Sequence, residues 1–158
     1  MKEMPRLRST KKRGSLLLDT LTALFVLSMG ALSLFATLPV ASKAGKLASD
    51  QGQASYMATK YIEQLQTLKT TDITLNKLTS LNLIDAGQTG SSPYTFTNVP
   101  LDNGSYYSPS KVLKGAAATI TITNLDSGAV KCDISIQWKS ANGIQESLST
   151  GTVVGGYK

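Results

Sequence analysis

Few side chains in this sequence could do covalent or acid–base chemistry. The 158-residue chain has no histidine and one cysteine, Cys132. Without a second cysteine no disulfide closes within the chain. Without histidine the familiar zinc sets and the Ser-His-Asp and Cys-His nucleophile arrangements are missing. No catalytic residue, metal or cofactor is therefore expected, and the chain does not read as an enzyme. One carboxylate nonetheless stands out by its position. Asp19 follows Arg13-Gly14-Ser15-Leu16-Leu17-Leu18 and precedes Thr20 to Ser42, 23 residues without a charge. A carboxylate inside hydrocarbon costs roughly 2.5 to 3.5 kcal/mol on insertion scales. Two readings of Asp19 are open: a marker of the membrane interface, or a group that needs a partner of opposite charge.

The elements around Asp19 narrow the choice. As a helix, Thr20 to Ser42 extends about 35 Å, enough to cross a bilayer core and too long for the apolar part of an ordinary cleaved signal peptide. The chain carries a formal net charge of +6, most of it at the start, where Lys2, Arg6, Arg8, Lys11, Lys12 and Arg13 face one acid, Glu3. A basic cluster before an apolar span stays in the cytoplasm, so the C-terminal part is expected outside. The other ten lysines are scattered, with no basic cluster interleaved with aromatics, and nucleic acid is not an expected partner.

Arg13-Gly14-Ser15-Leu16-Leu17-Leu18-Asp19, preceded by Lys11 and Lys12 and followed by "TLTALFVLSMGALSL", resembles the N-terminal signature of type IV pilins and of the pseudopilins of type II secretion. The resemblance covers about residues 11 to 40. It implies a basic leader (Lys11, Lys12, Arg13) that a prepilin peptidase removes after Gly14, an N-methylated Ser15 as the new terminus, and an assembly role for Asp19, whose carboxylate pairs with the N-terminus of a neighbouring subunit. Two departures are visible: Ser15 stands where the family usually has Phe, and Asp19 where it usually has Glu. The resemblance further implies a structural subunit of a type IV pilus or pseudopilus. Its partners would be other pilin or pseudopilin subunits, the prepilin peptidase, an inner-membrane assembly platform and, before assembly, membrane lipid. The run from Ala31 to Lys69 is similar to minor subunits, and the lack of a disulfide-bonded C-terminal loop leans the same way. The competing reading is a signal-anchored accessory protein that is never processed.

Four parts are expected: a leader, residues 1–14; a membrane or filament-core helix, residues 15–42; an amphipathic continuation, residues 43–69; and a head, residues 70–158. Leu47, Ala54, Ala58, Tyr61, Ile62, Leu65 and Leu68 recur at helical spacings. One helix from about Leu16 to Leu68 is predicted, ended by Lys69 to Asp72, with Gly30 and Pro39 as places where it could bend. Residues 70 to 115 carry turn signals, with Asn76 to Ile84 as a short helix or irregular and Tyr94 to Val99 as a short strand. Asn103-Gly104-Ser105 matches an N-glycosylation sequon, a short and common pattern. The clearest β region comes last. Ile120 and Ile122 share one face, and Val130, Cys132, Ile134, Ile136 and Trp138 alternate with Lys131, Asp133, Ser135 and Gln137. With the strand after Gly143, these make three sequential antiparallel strands whose apolar face the helix covers. Cys132 and Trp138 are expected in that core. The fold class is α+β: a long N-terminal helix packed on a small antiparallel sheet.

Overall fold

The computed structural model describes residues 12–102 and 107–155, with side chains from residue 16 onward. The chain divides into two compact units, Met1–Ser42 and Lys43–Lys158. Helix α1 runs from Lys12 to Gln66. It starts four residues before the expected Leu16, because the added residues Lys12 to Ser15 include no proline, and one glycine costs a helix only about 1 kcal/mol. Pro39 lies inside α1 without ending it. Its missing N–H leaves the carbonyl of Phe35 without the usual helical donor. The helix ends two residues before Leu68. Its last turn tightens, with Thr67 N donating to Gln64 O (3.3 Å) and Leu68 N to Leu65 O (3.1 Å), and a 3-10 turn follows at Thr70–Asp72.

In the first unit the helix is apolar and exposed, from Leu16, Leu17 and Leu18 to Leu38 and Val40. Its hydroxyls are satisfied locally. Thr20 donates to Leu17 O, Thr22 to Leu18 O and Asp19 O, Ser28 to Leu24 O, Ser33 to Met29 O and Thr37 to Leu34 O. A segment that satisfies its hydroxyls from its own carbonyls presents few unmet polar groups to hydrocarbon. This one helix is long and apolar enough to span a membrane.

In the second unit α1 becomes amphipathic, and Ala54, Met57, Ala58, Tyr61 and Leu65 are buried. They join one core with the inner face of a four-stranded antiparallel sheet of order β1-β2-β3-β4. The strands are β1 (Tyr94–Thr95), β2 (Ala117–Asn124), β3 (Val130–Lys139) and β4 (Gln145–Val154). On β3 the alternation is as expected: Val130, Cys132, Ile134, Ile136 and Trp138 are buried. In the register, Ile120 faces Ile134 and Ile136 faces Leu148.

The expected strand from Tyr94 to Val99 is shorter than predicted. Only Tyr94 and Thr95 pair with β2, and Phe96 N adds one more bond to Ala118 O (2.9 Å). The ladder stops because the Asp85 carboxylate takes the next two amides, from Thr97 (3.0 Å) and Asn98 (2.9 Å). The described head also holds two short helices: α2 (Leu75–Ser80), which starts one residue before the segment Asn76 to Ile84 expected as a short helix or irregular, and α3 (Pro109–Val112). Tyr61 fastens α1 to this region. Its ring stacks on Phe96 with centroids 4.0 Å apart, and its hydroxyl donates to Leu83 O at 2.6 Å.

Candidate functional site

The residues that the sequence singles out lie at the start of α1. Lys11 is outside the described residues, as are Asn103, Gly104 and Ser105 of the sequon. Lys12, Arg13, Gly14 and Ser15 form the first turn of α1 along the backbone. Asp19 stands one turn further, exposed, with exposed Leu16, Leu17, Leu18 and Leu21 around it. Because α1 is helical here, residues three and four apart share a face, so Leu16 and Ser15 lie on the Asp19 side toward the N-terminus. The Asp19 backbone carbonyl accepts from Thr22 Oγ1 at 2.9 Å. Its carboxylate is in no ion pair among the described residues, unlike Glu63 with Lys60 and Asp133 with Lys131. Among the described residues, Asp19 is thus one unpaired negative charge among the exposed apolar side chains that run from Leu16 to Val40. Such a surface can bind lipid or other apolar helices and accept a cation.

Cys132 and Trp138 both belong to the core. Cys132 is fully buried, and burial, with the Asp133 charge adding to it, pushes its thiol up to about 11. Trp138 is buried, and its Nε1 has no hydrogen-bond partner among the described residues.

A second grouping of charge, which the sequence reading left scattered, is assembled by the fold. Lys114 and Lys139 are tied by a bond from Lys139 N to Lys114 O (2.8 Å), and Lys46 of α1 lines the same cavity of about 440 Å³. The pairing that gathers them joins segments 25 residues apart in sequence, so no local pattern announces it.

No protein-family model, no curated protein and no solved structure matches this chain. Functional assignment therefore rests on the residues and their surroundings.

Proposed function

We propose that the protein is a filament subunit of the type IV pilin and type II secretion pseudopilin kind. It is held in the membrane by α1, cut after Gly14 by a prepilin peptidase and N-methylated at Ser15. It is then assembled with sister subunits, α1 against α1, on an inner-membrane platform. The observation that carries this reading is the unpaired Asp19 carboxylate on an exposed apolar helix. A helix apolar all round needs either lipid or other helices as cover. Moving from lipid into a bundle of such helices keeps its apolar faces covered and leaves Asp19 as the group whose environment decides the register. An ammonium group set opposite it, from the new terminus of a neighbouring subunit, neutralises it. A misplaced neighbour leaves a buried charge unpaired, which costs about 3 to 5 kcal/mol. The sheet and the amphipathic half of α1 form a head that accompanies the helix to the filament surface, on the outer side of the membrane.

Processing gives the direct test. Coexpression with a prepilin peptidase is expected to shorten the chain by the 14 residues that end at Gly14, and intact-mass analysis to find one methyl group on Ser15. Gly14→Ala is expected to stay full-length. A wild-type chain that keeps its full mass, like Gly14→Ala, overturns the filament reading and leaves an unprocessed, signal-anchored protein.

A further inference from the structure

The cavity beside the hairpin between β3 and β4 gathers charge without pairing it. Lys46 and Asp50, one turn apart on α1, line it together with Lys114, Lys139 and the turn at Ser140 to Gly143. None of Lys46, Lys114, Lys139 and Asp50 is in an ion pair among the described residues. Three ammonium groups thus stand against one carboxylate around a single concavity. The exposed side chains of Lys46, Lys114 and Lys139 are free to turn toward a guest.

The turn supplies a second, independent observation. It is closed by Ser140 N donating to Ile144 O and Gly143 N donating to Ser140 O, both 2.9 Å. Ser140 is 3% exposed, and its Oγ has no hydrogen-bond partner among the described residues. Buried hydroxyls are nearly always partnered, so an idle one next to a positively charged cavity marks unused donor capacity.

We propose that this cavity binds a phosphate group, held by Lys46, Lys114 and Lys139 with the Ser140 hydroxyl as an added donor. Phosphate matches the donor set because it offers several acceptor oxygens to converging point charges. A polynucleotide fits less well, since no aromatic ring lines the cavity to stack a base. The phosphate has two possible sources, a free ion or an anionic lipid headgroup. Lys46 follows the last residue of the uncharged run, Ser42, by only four positions, and lysines beside a membrane segment attract anionic headgroups. The inference does not depend on filament assembly.

The test uses the full-length chain, labelled with nitrogen-15, in maltoside micelles that contain no phosphorus. Sodium phosphate, added at constant ionic strength, is expected to shift the amides of Ser140, Asn142 and Gly143 saturably, and acetate is not. Lys114→Glu and Lys139→Glu are each expected to weaken the response roughly tenfold or more, as loss of a charge-assisted bond should. Lys139→Arg should retain it, and Lys77→Glu, an exposed lysine on α2, serves as the control for net charge. In nanodiscs, shifts of the same amides when phosphatidylglycerol replaces part of the phosphatidylcholine identify the headgroup as a source. A response to inorganic phosphate alone identifies the free ion. The proposal is overturned if these amides respond to neither probe, if acetate acts as strongly as phosphate, or if Lys77→Glu weakens binding as much as Lys139→Glu.

Discussion

Cys132 sits on β3 with its side chain fully buried, opposite Ile122 on one side and Thr152 on the other. A thiolate there would lose its hydration, so the folded state holds the proton and the thiol rises from 9.0 to about 11. The sign of the linkage follows. A raised folded-state value means that the contribution to stability is complete below pH 9 and is lost as pH rises toward 11. Tyr61, buried in the same core and shifted up by desolvation first, acts in the same direction at still higher pH. Thermal midpoints measured across pH 8 to 11 are expected to fall with pH in wild type and to fall less steeply in Cys132→Ala. A disulfide reagent at neutral pH should find no reactive thiol until the protein is unfolded. Full labelling of the native chain would contradict a buried, protonated Cys132.

Among the elements, α1 and the sheet were legible because their side-chain periods are local. The stripe through Ala54, Ala58, Tyr61 and Leu65 and the alternation along Val130 to Trp138 are both written in neighbouring residues, and both are buried as expected. Met57 belongs to the same buried stripe, and its apolar side chain, three positions after Ala54 and four before Tyr61, already fits that spacing in the sequence. The features that were not legible depend on distant partners. Asp85 ends the β1 ladder by accepting from amides 12 and 13 residues away, and the three lysines of the cavity meet only once β3 is paired and α1 is docked. The Asp19 site differs again, because its position was plain in the sequence while the partner expected for it belongs to another molecule. One contact measures how firmly α1 is joined to the loops of the head: Tyr61 Oη donating to Leu83 O over 2.6 Å. Tyr61→Phe keeps the ring on Phe96 and leaves a buried carbonyl without its donor, so it should cost about 1 to 3 kcal/mol. Urea denaturation of the full chain in micelles measures it. A change within a few tenths of a kcal/mol would show that another donor reaches Leu83.

At the scale of the whole molecule, the chain joins two surfaces with opposite needs. The residues from Leu16 to Val40 expose large apolar side chains, while those from Ala54 onward bury theirs in a core shared with the sheet. The head can therefore fold around its own part of α1, and under the proposed function the apolar part is covered by lipid first and by sister helices afterwards. Asp19 is where these two coverings differ. In lipid its charge costs free energy, so Asp19→Ala should insert and be cleaved at least as well as wild type. In a filament the same substitution removes the acceptor for a neighbour's ammonium group and leaves that cation buried and unpaired, at a cost of about 3 to 5 kcal/mol. Asp19→Ala is thus expected to accumulate as processed protein in the membrane fraction and to be depleted from sheared filaments. Asp19→Glu, which keeps the charge and adds one methylene of reach, should assemble. Quantifying the processed chain in both fractions separates the roles. Wild-type incorporation of Asp19→Ala would show that the carboxylate does not pair across subunits, and Asp19 would then mark only the edge of the membrane helix.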